Sequence, residues 1–329
     1  MEPIGFTRDG VSWNTLYGPV YDPESPLANE DGFNREYIEA ARELRITNMR
    51  WPGGNYVSNY HWEDGIGPKE ERPVRKELVW GFIDHNQVGT DEWVQLNRAI
   101  GSEDVVCINM GTGTLNKARY WVEWNWEVIN ALRDLADYLS LHRYWEYSES
   151  WEEYMGKQAM ILEEKISIPA EQSKAVQQIY QMEEPMYLSF DEWAPQGGGL
   201  QSTLASAQFL NAFIRHADMV KMANFTLLPS ILGRDIETGN TFRTPFFYMF
   251  KMYSNNCLGR SVDACVSCDT FNVDKFYQGI PYLDVSAVVS EDGTTMIINV
   301  VNRHREEAIE TEIICQTGIF SGKAVVKEI

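Results

Sequence analysis

A chain of 329 residues with 44% hydrophobic and 12% aromatic side chains has enough apolar material for one large domain and a smaller one, which excludes global disorder. Forty-eight acidic against twenty-eight basic residues leave a net charge of -20, which repels phosphate backbones and anionic bilayers and argues against nucleic acid or a membrane as partner. Five scattered cysteines, Cys107, Cys257, Cys265, Cys268 and Cys315, form no secreted disulfide framework, so a reducing, cytoplasmic setting is expected.

The first residues, Met1 to Asp9, have no basic and apolar leader pattern, and no uncharged apolar run reaches the length of a membrane span. Cys265-Val-Ser-Cys268 has metal or redox spacing, but no second pair or His cluster completes a zinc site, and neither metal nor other cofactor is expected. Most of the eleven Trp and sixteen Tyr are read as core, with some of their flat faces suited to sugar rings.

Along the first two-thirds, short strand-like runs alternate with amphipathic segments, the pattern of a parallel sheet covered by helices. A weak strand is predicted near Ser12 to Val20. Asn34 to Leu44 reads as a helix, Ile46 to Trp51 as a strand, and Pro52-Gly-Gly as a loop. Thr90 to Ile100 repeats the helix, with Thr90 as N-cap and Gly101 as stop, and Asp104 to Asn109 repeats the strand. After the Gly111-Thr-Gly-Thr loop the sequence stays helical from Leu115 to about Leu135 before Ala136 to His142 supplies another strand. Glu152 to Met182 reads as a long helix, Pro185 to Asp191 as a strand, Leu204 to His216 as a helix, Met219 to Phe225 as a strand and Thr244 to Ser254 as a helix. The count gives about six strands where a closed barrel of this type needs eight. Residues 1–259 are therefore read as an incomplete (β/α) barrel. Residues 260–329 change to alternating apolar and polar positions with turn signals. There Ile280 to Val289 and Thr294 to Asn302, joined through Glu291-Asp-Gly, predict a hairpin of a small antiparallel β-sandwich.

Candidate chemistry gathers where strands end, because the carboxyl ends of barrel strands carry the reacting groups. Met186-Tyr-Leu-Ser-Phe-Asp-Glu192-Trp193 ends in a carboxylate and an indole, and Glu192 is the candidate nucleophile for an anomeric carbon. Its neighbour Asp191 is read either as a partner of a helix or as a partner of an Arg. A buried carboxylate needs a cation, and Arg50, at the end of another strand in Arg50-Trp-Pro-Gly-Gly-Asn55, is the candidate. His142 and Tyr144 stand two residues apart on a third strand and so point to one side.

Arg50-Trp-Pro-Gly-Gly-Asn-Tyr-Val-Ser, Trp62-Glu-Asp-Gly-Ile-Gly-Pro68, Glu71-Arg-Pro, Asn109-Met-Gly-Thr, Ser140-Leu-His-Arg-Tyr144, Ser189-Phe-Asp-Glu-Trp193 and Ile280-Pro-Tyr-Leu together resemble the α-L-arabinofuranosidases of glycoside hydrolase family 51, in order, from about Tyr17 to Arg303. The resemblance implies a TIM-type (β/α) barrel with a jelly-roll domain, retaining hydrolysis, and release of terminal arabinofuranose from arabinan or arabinoxylan oligosaccharides and polysaccharides. It also implies a homo-oligomer. By position, Glu192 corresponds to the nucleophile, Asn55, Trp62, His142 and Tyr144 to residues that hold the sugar, and Arg50, Asp191 and Trp193 to their supports. Two βα units of the family have no counterpart, among them the strand ending in Asn-Glu that carries the general acid and base. Tyr120-Trp-Val-Glu-Trp124 passes straight into a helix of a later unit, so no acid/base is identified; Glu123 and Glu127 are the nearest stand-ins. Ser12 to Gly18 replaces the family's Glu-His-Leu-Gly, and Leu227 stands where a pocket Gln is usual. Two readings follow: a glycosidase with impaired turnover, or an inactive sugar-binding or structural remnant.

Overall fold

A computed structural model describes residues 20–52, 54–57, 60–78, 81, 83–106, 136–197, 199–226, 231–235, 240–316, 318 and 320–329. The weak strand before Val20, the loop and helix expected between Asn109 and Leu135, Glu123, Glu127 and Leu227 lie outside the described residues.

Asn34 caps helix α1 (Arg35–Glu43) by accepting from the Glu36 N–H at 2.9 Å. The helix buries Tyr37, Ile38, Ala40 and Ala41 on one face and leads into strand β1 (Asn48–Trp51). Helix α2 (Thr90–Ile100) starts one residue earlier than Thr90 suggests, because Gly89 is its N-cap. The Glu92 carboxylate accepts the Gly89 N–H at 2.8 Å, so the third helical residue secures the start without a hydroxyl cap. A Cβ on Gly89 would meet the Gly65 carbonyl oxygen at 1.8 Å, which leaves no room for a threonine there. Gly101, at φ +90°, ends the helix as expected. Strand β2 (Glu103–Val106) then pairs in parallel with β1, from Asn48 opposite Glu103 to Trp51 opposite Val106. Trp51 stacks on Trp93 at the centre of this unit's core.

The second parallel sheet has the order β3 (Tyr138–Trp145), β4 (Tyr187–Pro195), β5 (Val220–Phe225). Helix α3 (Gln158–Tyr180) connects β3 to β4, and α4 (Gly199–Arg215) connects β4 to β5. The five strands that periodicity places between Ile46 and Phe225 are thus parallel strands in two sheets; no closed barrel forms among the described residues. Asn224 of β5 donates to Asn48 of β1, and Arg50 of β1 reaches β4, so side chains bring the two sheets edge to edge. Behind the second sheet, Trp145, Phe190, Trp193, Phe209, Phe213 and Phe225 form one aromatic core, with ring centroids about 5 Å apart.

Helix α5 (Pro245–Asn256) precedes an antiparallel sheet ordered β6 (Arg260–Val262), β7 (Leu283–Val289), β8 (Met296–Asn302). The expected hairpin is present, with Asp292 accepting backbone and hydroxyl hydrogens of Thr294 in its turn. The sheet packs on α4 through a buried polar network: Asp284 accepts from Arg303 at 3.0 Å and from Asn211 at 2.9 Å, and Arg215 spans Asp284 and Glu163. A π-helical turn, Glu153–Lys157, opens α3 where it meets this region; a Cβ on Gly156 would strike the Phe271 ring at 2.5 Å. Burial pushes the Glu163 carboxyl up, but the His216 hydrogen bond and the Arg215 guanidinium outweigh it and hold the group at about 2. The folded value lies below the unfolded one, so this contribution is complete above the ordinary value of 4.5 and is lost as pH falls toward about 2. The gap in melting temperature between the native chain and Glu163→Gln is therefore expected to close over that interval. A gap of constant size across it would refute the account.

Candidate active site

Alternation along a strand sends neighbouring side chains to opposite faces, and Asp191 and Glu192 ought to part. A bulge in β4 prevents this. Against β3 the register moves from Ser140 opposite Ser189 to His142 opposite Glu192, and against β5 from Phe190 opposite Ala223 to Trp193 opposite Phe225. The extra residue re-aims the chain. Phe190 and Trp193, three apart, both enter the aromatic core on the helix side, while Asp191 and Glu192 both meet Arg50 and His142. The strand continues to Pro195, so Glu192 sits within it rather than at its last residue.

Glu192 is 7% exposed. Tyr144 donates its hydroxyl to Oε1. Oε2 lies 3.1 Å from His142 Nδ1 and 3.7 Å from Arg50 Nη1, yet no donor is aligned on it for a hydrogen bond. Asp191 is saturated in comparison: Oδ1 accepts from Ser140 Oγ at 2.7 Å and lies 3.4 Å from His142 Nε2, and Oδ2 lies 3.3 Å from Arg50 Nε. Arg50 Nη1 also donates to the Asp191 carbonyl at 3.0 Å. Burial raises the Asp191 carboxyl, and the His142 contact, the Arg50 charge and the Ser140 hydroxyl together bring it below the usual range.

Arg50, Asp191, Glu192, His142 and Tyr144 therefore form one cluster across β1, β4 and β3. Trp193 is on the opposite face and supports the strand from the core. The backbones of Asn55 and Trp62 lie in a short helix (Gly54–Val57) and a 3-10 turn (Trp62–Gly65); their side chains are outside the described residues. Ser140 was overlooked as a site residue, although positions 140, 142 and 144 share one face by simple alternation. Chemically, one oxygen of Glu192 is fixed by a phenol while the other keeps lone pairs near a cation, an arrangement suited to nucleophilic attack. A cleft of about 570 Å³ between α5 and the chain's last residues, lined by Arg243, Tyr248 and Lys327 among others, shares no residue with the cluster. No group of three or more His, Cys, Asp or Glu among the described residues is arranged to hold a metal ion.

Residues 40–141 match the family described as alpha-L-arabinofuranosidase 1 domain, and residues 191–322 match the alpha-L-arabinofuranosidase C-terminal domain. The chain is 26% identical to alpha-L-arabinofuranosidase C of Emericella nidulans, over 91% of this chain and 81% of that protein. That alignment runs over 415 positions, more than the chain has residues, so part of the relative's sequence lies opposite a gap. The fold is similar to the alpha-L-arabinofuranosidase of Thermotoga maritima in complex with arabinose, with a TM-score of 0.76 and 25% identity, covering 90% of this chain and 80% of that one. The thermostable family 51 alpha-L-arabinofuranosidase of Thermotoga petrophila is equally similar, with a TM-score of 0.76, 25% identity, and coverage of 88% and 80%. Both halves of the sequence and the arrangement of its strands point the same way: the chain belongs to the α-L-arabinofuranosidases of glycoside hydrolase family 51.

Proposed function

We propose that the chain is a retaining α-L-arabinofuranosidase that releases terminal arabinofuranosyl units from arabinan and arabinoxylan, with Glu192 as nucleophile. The observation that carries this reading is the setting of Glu192: buried, held by Tyr144 at one oxygen, and facing Arg50 and His142 with the other. In the reaction Glu192 Oε2 attacks the anomeric carbon, the bond to the leaving oxygen breaks, and a water later hydrolyses the glycosyl ester. Tyr144, His142, Asn55 and Trp62 hold the sugar, while Arg50 and Asp191 fix the carboxylate. The reading includes an incomplete (β/α) barrel over residues 1–259, a partial jelly-roll over 260–329, a cytoplasmic location and a homo-oligomer.

The proton donor to the leaving oxygen is the weak point of this chemistry, since no Asn-Glu pair like the family's occurs between Asn109 and Ser140. General acid catalysis contributes a factor of about 10² to 10⁴, and a nitrophenolate leaves without it. Hydrolysis of nitrophenyl arabinofuranoside is therefore expected to give a covalent adduct on Glu192 by mass spectrometry, with the methyl glycoside slower by at least about that factor. Equal rates for the two would mean that a proton donor is in place. The same missing pair favours a second reading, a sugar-binding remnant, for which neither product nor adduct forms but arabinose still binds in calorimetry.

A further inference from the structure

Asp191 is the extra residue of the β4 bulge. Toward β3 the register passes from Ser140 opposite Ser189 to His142 opposite Glu192, and toward β5 from Phe190 opposite Ala223 to Trp193 opposite Phe225, so Asp191 has a ladder partner on neither side. The seating of Phe190 and Trp193 in the aromatic core decides which face Asp191 takes, but it leaves the rotamer of its side chain open. Contacts from the two neighbouring sheets close that gap. Arg50 Nη1 of β1 donates to the Asp191 carbonyl at 3.0 Å, which satisfies a backbone group that the bulge removes from the ladder. Ser140 Oγ of β3 donates to the carboxylate Oδ1 at 2.7 Å, closer than His142 Nε2 at 3.4 Å or Arg50 Nε at 3.3 Å from the same side chain.

The consequence reaches the reacting atom by two routes. Asp191 Oδ2 holds Arg50 Nε, and the same guanidinium lies 3.7 Å from Glu192 Oε2 through Nη1, so the Asp191 carboxylate orients the fork that faces the attacking oxygen. Glu192 is also the next residue in the chain, and its backbone moves with the bulge. Small displacements matter here, since a shift of about 1 Å at a reacting group costs on the order of 10² in rate. A hydroxyl carried by β3 prevents such drift; a water in its place is anchored to no strand.

We propose that Ser140 is a positioning residue that pins the β4 bulge through Asp191 and thereby sets the aim of Glu192. The inference rests on the proposed role of Glu192. Ser140 is exposed, so there is space for one more methyl group, and Ser140→Thr keeps the hydroxyl on a strand that suits a β-branched residue. Ser140→Ala removes the hydroxyl alone.

The test compares these two variants in the full chain with nitrophenyl arabinofuranoside. The nitrophenolate burst reports formation of the ester on Glu192, and its rate constant at saturation is expected to fall about tenfold or more in Ser140→Ala, with half-saturation within about twofold of native. Ser140→Thr should stay within about threefold of the native rate constant. A native burst rate in Ser140→Ala, or a Ser140→Thr variant as slow as Ser140→Ala, overturns the inference. Amide hydrogen exchange needs no turnover: the peptide from Phe190 to Trp193 should exchange about tenfold faster in Ser140→Ala than in the native chain or Ser140→Thr, while peptides of α3 keep the native rate. Equal exchange at the bulge removes the pin, and acceleration in α3 as well would mean a general loosening and is equally fatal. If the native chain leaves no adduct on Glu192, the proposed function fails while the exchange still decides whether Ser140 pins the bulge; an adduct with an unchanged burst in Ser140→Ala defeats only this inference.

Discussion

Glu192→Ala is expected to lower kcat/KM on nitrophenyl arabinofuranoside by a factor on the order of 10⁴ or more, because the covalent route loses its nucleophile and the neighbouring Asp191 carboxylate is already engaged by Ser140, His142 and Arg50. An activated substrate makes the comparison clean, since its departure does not depend on a proton donor. The variant should fold. Arg50 still has the Asp191 carboxylate and carbonyl as partners and His142 still faces Asp191, so the loss of Glu192 as the acceptor of the Tyr144 hydroxyl and the neighbour of His142 Nδ1 costs roughly 1–3 kcal/mol. The space vacated by the carboxylate is open to a small anion. Added azide is therefore expected to restore turnover by attacking the anomeric carbon directly, and the glycosyl azide should carry the configuration opposite to the substrate's. A folded Glu192→Ala protein that hydrolyses at the native rate, or an azide product of retained configuration, would move the nucleophile elsewhere.

The alternation of helix and strand along the first two-thirds located all five parallel strands found among the described residues, because apolar periodicity is a local property. Gly101 was legible as a helix stop for the same reason: a residue at φ +90° is most easily a glycine. The start of that helix was not. Thr90 is a good capping residue, but the Glu92 side chain and the close approach of Gly65 settle the cap on Gly89, and the second of these is a tertiary contact. The site shows the same division. His142 and Tyr144 fall on one face by counting in twos, and Arg50 was anticipated as the cation for a buried carboxylate. That Asp191 and Glu192 share a face could not be read in this way, since strict alternation separates them. The bulge that unites them arises because β4 must seat both Phe190 and Trp193 in the aromatic core between two neighbouring strands. The core's demand thus places the second carboxylate beside the first.

Arg50→Ala is expected to be the most destabilising change within the cluster and to abolish turnover with it. Arg50 is 5% exposed and reaches Asp191 Oδ2, the Asp191 carbonyl and Glu192 Oε2 from a different sheet. Without it, two buried carboxylates share one imidazole, and removal of one partner from a buried ion pair costs about 3–5 kcal/mol. In a chain of this size that corresponds to a fall in melting temperature on the order of 10 °C. Arg50→Lys should recover part of the stability and little of the activity: an ammonium supplies the charge but not the planar fork that holds two residues at once. The defect should also depend on pH in a definite direction. Asp191 lies below its ordinary value in the folded chain, through its contacts with His142, Arg50 and Ser140 working against burial, so its contribution is present above 3.8 and fades as pH falls further. The Arg50→Ala penalty should therefore shrink in acid, as the Asp191 carboxylate that needs the guanidinium takes up its proton. A melting temperature within a degree or two of the native one at neutral pH, or a penalty that grows on acidification, would show that the cation is not what makes the paired carboxylates tolerable inside the fold.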